Sequence, residues 1–310
     1  MSDKKFRLVT RSDFDGLVCA ALLKELDMID AVKFVHPKDM QDGKIEITQD
    51  DITTNLPFVP GVGYCFDHHS SELARVQGSS SVYVNDTSAP SAARIVYNHF
   101  GGATRFPNIS ADMMQAVDRI DSADLSIDDV LNPGGYVLLG FIMDSRTGLG
   151  RVREFRISNY QLMMELIDLL RAHSVDEILK NPDVIERVDL YNEQAPLFEQ
   201  QIKTCAQIDG NLIVIDNRGV EPIYAGNRFK LYAMFPDCNI SAHVMTGFKG
   251  QNTVIAIGKS IINRSSNTDV GALCLSYGGG GHKAAGTCQV DNEKADEILK
   301  EIAAKIKSDG

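Results

Sequence analysis

The sequence predicts an α/β protein with an N-terminal parallel-sheet domain and flanking helices. A smaller C-terminal α/β domain follows, joined by a long helix. Three observations predict this. Short β-prone runs alternate with helical patterns through the first half, the signature of parallel βαβ units. DVIERVDLYNEQAPLFEQQIKTCAQ (183–207) then keeps a helical texture over an unusual length, with Pro196 inside it. Beyond it, short strand-like runs return at close intervals. At about 100–200 residues per domain, a chain of 310 residues suits two. The expected domains are 1–185 and 208–310, with 186–207 as connector.

FRLVT (6–10) is β-prone and ends in the polar turn RSDFDG, and LVCAALLKELDMI then carries helical apolar spacing. AVKFVHP (31–37), KIEIT (44–48) and GVGYCFD (61–67) read as the next strands. SAPSAARIVYNHF (88–100), with Ser and Pro at its start, reads as a helix, as do ADMMQAVDRIDSAD (111–124) and ISNYQLMMELIDLLRAH (157–173). In the second half, NLIVID (211–216), KLYAMF (230–235), ISAHVM (240–245) and TVIAIG (253–258) are predicted strands. DVGALCLSYGGGGHKAAG (269–286) is a helix entering a glycine-rich loop, and EKADEILKEIAAKIK (293–307) closes the chain as a helix.

Composition narrows the function class. A net charge of −11 disfavours long duplex nucleic acid, whose phosphates need a basic field. A small phosphorylated substrate remains compatible, because a local cation can hold it. No apolar run reaches the ~18 residues that span a bilayer, so no membrane partner is expected. Cys19, Cys65, Cys205, Cys238, Cys274 and Cys288 are scattered without a CxxC pair. They read as reduced thiols in a cytoplasmic protein.

Four acidic or imidazole clusters follow predicted strands or lie on helices. RSDFDG presents Asp13 and Asp15 after the first strand, where α/β sheets bind ligands; Asp15 could equally cap the helix. FDHH offers Asp67, His68 and His69 after another strand. Histidine with carboxylate suits Mn²⁺, Zn²⁺ or Fe²⁺, and carboxylate-rich sets favour Mn²⁺. Asp67 could orient an imidazole from behind, or the histidines could be a surface pair. TQDD (48–51) follows KIEIT, so Asp50 or preferably Asp51 could bridge two cations, or cap a turn. Asp118 and Asp121 share a helix face, which could be a ligand pair or a solvated acidic face. In GFIMDSRTGLGRVREFR, Asp144 is an alternative to Asp121. Near the C-terminus, Gly278, Gly279, Gly280 and Gly281 could present backbone amides to an anion beside His282, or form a loop packed on small residues. Arg264 in NRSS could grip phosphate through its fork.

Taken together, SDFDG, DHH (67–69) and GGGGHKAAG resemble the motifs of the DHH phosphoesterases, which include RecJ-type nucleases, nanoRNA and cyclic-dinucleotide phosphodiesterases, family II pyrophosphatases and exopolyphosphatases. The resemblance spans both halves and takes in the DHH-associated C-terminal domain. It implies one or two divalent cations, most often Mn²⁺, on Asp13, Asp15, Asp51, His68 and Asp121. Asp67 and His69 would be catalytic, with His69 facing phosphate. Arg264, the glycine loop and His282 would hold the far end of the substrate. One departure stands out: the family usually carries histidine two residues before the first aspartate, and here that residue is Arg11. Arginine cannot ligate a metal, so one cation site is weak or empty, or Arg11 binds phosphate.

The expected function is metal-dependent hydrolysis of a phosphodiester or phosphoanhydride in a short oligonucleotide, nucleotide or polyphosphate. The alternative is a catalytically impaired module that binds a phosphorylated ligand and regulates. The sequence leaves a homodimer open.

Overall fold

The computed structural model describes residues 4–69 and 82–310. By internal contacts the chain divides into two units, one of residues 1–124 and 133–191 and one of residues 125–132 and 192–310. The division falls inside the long helix. The return of residues 125–132 to the second unit has no signature in the sequence.

The first unit is built on β1 (Phe6–Arg11), β2 (Ile29–Val35), β3 (Asp51–Thr54), β4 (Tyr64–Asp67) and β5 (Tyr83–Asn85). All four pairings are parallel, in the order β2-β1-β3-β4-β5. The order reverses direction between β1 and β3, and such a switch point opens a crevice at the strands' carboxyl ends. Helix α1 (Phe14–Glu25) is buried along its whole first ten residues, because it is apolar on every side and packs within the core. Gly16 lets its first turn lie against β1: a Cβ there would come 2.1 Å from the Arg11 carbonyl oxygen. Between β2 and β3 lies α2 (Pro37–Gln41), and α3 (Ala92–His99) and α4 (Ala111–Asp121) pack on α1.

In the second unit, α5 (Ile127–Leu131) accompanies the later elements. The first unit continues through α6 (Gly135–Met143), α7 (Asn159–Ala172) and α8 (Val175–Ile178) to α9 (Pro182–Cys205), which runs on through Pro196. The second unit's sheet has the order β10-β11-β9-β8-β7-β6. Its strands are β6 (Ala206–Asp209), β7 (Leu212–Asp216), β8 (Ile240–Thr246), β9 (Thr253–Lys259), β10 (Gly280–Gly281) and β11 (Ala285–Val290). Only the β7–β8 pairing is parallel. Helices α11 (Val270–Leu275) and α12 (Ala295–Asp309) bury Val270, Leu273, Ile302 and Ile306 with Ile240, Val244 and Ile255 of the sheet.

Two expected strands are not strands. KIEIT is irregular: Ile45 and Ile47 pack on the Val9, Val35, Met40 and Leu56 cluster, and the Glu46 carbonyl accepts from the Arg7 side chain at 2.9 Å. KLYAMF forms α10 (Lys230–Met234), whose Tyr232 hydroxyl donates to the Gly258 carbonyl at 2.8 Å. A short apolar run carries no periodicity that separates helix from strand.

Candidate metal centre

Asp15, His68 and Asp121 offer ligand atoms that all lie within 4.8 Å of one another. Each is placed by a different element. Asp15 sits in the first turn of α1, and its two oxygens accept from the backbone N–H groups of Ala92 (3.1 Å) and Ala93 (2.8 Å) at the start of α3. This is an anion at a helix N-terminus, where free amides and the helix dipole favour it. His68 follows β4. Asp121 ends α4.

His68 shows why the set suits a cation. Its Nδ1 lies 3.3 Å from the Ala89 carbonyl oxygen, which can only accept, so Nδ1 carries the proton. Nε2 then faces the carboxylates, with Asp121 Oδ2 at 2.9 Å, and would offer its lone pair once a cation displaces its proton. A backbone carbonyl fixing the tautomer in this way is common behind metal-bound imidazoles. Burial opposes a charge on His68, yet Asp121, Asp15 and Asp67 outweigh it and raise its pKa to about 9. In the same pocket, burial first and Asp121 second push Asp15 well above the ordinary carboxylate range. Burial also acts upward on Asp121, but His68 wins and lowers it. Two carboxylates and one imidazole, Asp15 buried and the other two half-buried, that repel or seek protons in this way fit a divalent cation of the Mn²⁺, Zn²⁺ or Fe²⁺ type.

His69 lies beside this set. Its Nδ1 is 2.6 Å from Oδ1 of fully buried Asp67, which fixes the ring. Asn85 donates to the other Asp67 oxygen at 3.5 Å.

Asp13 is close but engaged otherwise. It caps α1, accepting from Gly16 N at 3.0 Å. Arg11 Nε lies 2.9 Å from its Oδ2, and the Asn55 amide donates to both oxygens at 3.3 and 3.4 Å. Burial raises its pKa, opposed by the Arg11 charge. Asp13 lies outside the three-donor group but near enough to Asp121 for the two to repel.

The structure corrects several expected roles. Asp51 begins β3 and lies at the amino-terminal edge of the sheet, paired in register with Arg7, whereas the centre gathers at the opposite edge. Its oxygens accept from Arg7 Nε at 2.6 Å and from Thr48 N at 2.7 Å. Asp50 lies at the same edge, 2.7 Å from Lys4 Nζ. With KIEIT as the strand both aspartates would follow it; in the true strand, Asp51–Thr54, Asp51 is the first residue and Asp50 precedes it. The residue that follows β3 is Asn55, buried and left-handed at φ +55°. It reaches the centre, and its place after a β-branched run was the available signal. Asp118 also stands outside the ligand group: it accepts from Ser91 Oγ at 2.8 Å and Arg94 Nε at 2.9 Å, tying α4 to the cap of α3. Asp144 is held by Arg146, with contacts of 2.8 and 2.7 Å. Arg146 in turn feels Asp13 and Asp121, which help to raise its pKa against burial.

In the second unit, the glycine run is less open than expected. The amide of Gly278 donates to the Leu275 carbonyl at 3.0 Å and that of Gly279 to the Cys274 carbonyl at 2.9 Å. With Gly278 at φ +76°, this is a Schellman closure of α11. Gly281 pairs with Gly286 and Gly280 with Thr287. A Cβ on Gly279 or Gly281 would collide with backbone at 2.2 or 2.3 Å, whereas one on Gly280 meets nothing within 4 Å. Sterics thus explain two of the four glycines, and Gly278 is explained by its φ. His282 and Arg264 are exposed. The amide of His282 donates to the Ala285 carbonyl at 2.7 Å and Arg264 Nε to the Ile261 carbonyl at 3.0 Å.

The first unit thus collects carboxylates and imidazoles at the carboxyl ends of β1 and β4 and at the end of α4. A pGpG-specific phosphodiesterase, PggH from Vibrio cholerae, is 54% identical to this chain, with 99% of this chain and 100% of that one covered and a TM-score of 0.84. The chain belongs to the DHH-family phosphoesterases and is a hydrolase. RecJ from Thermus thermophilus, solved with Mn²⁺, is 15% identical at a TM-score of 0.57, with 99% of this chain and 52% of RecJ covered, and shares the fold. No family model matches the chain. No curated protein matches it. Among the described residues, no helix is long and apolar enough to cross a membrane.

Proposed function

We propose that this chain hydrolyses a short linear dinucleotide of the pGpG type, using a divalent cation, with Mn²⁺ favoured, on Asp15, His68 and Asp121. The observation that carries the reading is the three-donor group in a chain 54% identical, over its whole length, to a pGpG-specific phosphodiesterase. Hydrolysis adds one water across the internal phosphodiester and yields two mononucleotides. A bound cation supplies a nucleophile at neutral pH and neutralises charge on the phosphoryl group.

The chain's own residues do the rest. Asp67 holds His69 through Nδ1 and so fixes the ring beside the cation group, where His69 would face the phosphate. Arg11 and Arg146 place fixed positive charge by Asp13 and Asp144, at the rim where phosphate would arrive. Within the second unit, Arg264, Gly280 and His282 are the residues we propose for contact with an anion. The six free cysteines accord with a reducing cytoplasm.

The test is product release from pGpG, longer oligonucleotides, cyclic dinucleotides and polyphosphate, with and without Mn²⁺. Cation-dependent release of mononucleotide from the dinucleotide, absent in Asp15→Ala, is expected. Tight binding of pGpG without turnover would favour the regulatory reading.

A further inference from the structure

The two sides of the centre differ in what they can offer a cation. On one side Asp15, His68 and Asp121 converge with lone pairs. On the other, the Asp13 carboxylate is surrounded by hydrogen donors: Gly16 N, the Asn55 amide and the Arg11 guanidinium. A guanidinium has no lone pair to give, and an amide nitrogen is no ligand. Turning the Asn55 amide over would set its oxygen against the Asp13 carboxylate. Arg11 would still stand at the same place.

Charge gives the same answer independently. Besides Asp67, which is held by His69, four carboxylates among the described residues belong to this edge: Asp13, Asp15, Asp121 and Asp144. Arg11 pairs with the first and Arg146 with the last, each within 2.9 Å. The two left over, Asp15 and Asp121, belong to the three-donor group. One divalent cation balances them.

Resting on the dinucleotide-hydrolase reading, we propose that this chain works with a single divalent cation on Asp15, His68 and Asp121. Arg11, anchored on Asp13, supplies the second positive charge to the scissile phosphate. Arg11 is permanently charged, and its planar fork matches phosphate oxygens. Asn55 holds Asp13 through its amide nitrogen, while its buried Oδ1 makes no hydrogen bond, so the exclusion of a second ion rests on Arg11.

The experiment uses the full chain, dialysed to equilibrium against Mn²⁺, with metal content by mass spectrometry, low-temperature electron paramagnetic resonance and pGpG turnover on one preparation. One Mn²⁺ per chain is expected, with the six-line signal of an isolated ion and with turnover. Two ions with an exchange-coupled signal and turnover would overturn the single-ion inference and leave the dinucleotide reading standing. No bound ion and no turnover would overturn both. The double variant Arg11→His with Asn55→Asp is expected to bind two ions with a coupled signal. If it folds by circular dichroism and still binds one, Arg11 is not the excluding group. Arg11→Lys is expected to keep one ion and raise KM about tenfold or more, from loss of a charge-assisted hydrogen bond. An unchanged KM would remove Arg11 from the phosphate.

Discussion

Arg7 grips Asp51 through two nitrogens, Nε at 2.6 Å and Nη2 at 3.0 Å, at the amino-terminal edge of the parallel sheet. Burial pushes the Asp51 pKa up, but Arg7 and Thr48 prevail and hold it below the ordinary value of 3.8. The pair is therefore a structural fastening, and its loss shows in stability. Asp51→Asn is expected to cost about 1–3 kcal/mol, read by urea denaturation, with pGpG turnover retained. The sign with pH follows from the lowered value. The stabilisation is present above 3.8 and fades as pH falls through the folded-state pKa. Asp51→Asn should therefore flatten the acid limb of the stability curve below about pH 4. A variant that folds normally and loses turnover would return Asp51 to the centre.

Asp15→Asn tests the opposite edge. Asparagine keeps one acceptor for the Ala92 and Ala93 amides, so the start of α3 can persist. It removes a charged ligand. Turnover should fall by about 10²–10³-fold, the scale of several kcal/mol of lost charge stabilisation, together with bound Mn²⁺. Retained metal with unaltered turnover would exclude Asp15 as a ligand.

Asp67 is buried and reaches its partner His69 at 2.6 Å. Asp67→Asn leaves the shape but no longer fixes the ring. The expected loss is about 10–100-fold, in kcat more than KM, with Mn²⁺ content preserved. A change confined to KM would place His69 in ground-state binding only.

The glycine run separates by substitution. Gly279→Ala drives a methyl to 2.2 Å from the Thr287 carbonyl oxygen and should lower the melting temperature. Gly280→Ala meets nothing within 4 Å and should fold normally. A raised KM for pGpG in Gly280→Ala would show close backbone approach of substrate. Unaltered kinetics would leave the run a structural device.

Much of the first unit was legible because its signals are local. Asp13 and Asp15 follow the first strand, and DHH follows another, so the carboxyl-end rule gathers them without further knowledge. Asp121 was legible from its spacing with Asp118, although spacing could not say which of the two turns inward. That is decided by Ser91 and Arg94, which occupy Asp118 from another helix. Asn55 is hidden because an amide is unremarkable in a sequence, and because KIEIT reads as the strand while DITT, with one apolar residue, does not. DITT is the less alternating of the two, but it pairs on both sides, with β1 and β4. The glycine run looked like an open anion cradle because sequence does not reveal that neighbouring carbonyls have already claimed its amides.

Asp15 has two employers, the first turn of α3 and the cation group. Starving the protein of cation therefore does more than stop turnover. It leaves Asp15, Asp121 and Asp13 to repel one another around a helix start that depends on one of them. A chelator-washed sample should be easier for a protease to nick near that corner, and protection should return when the ion is restored.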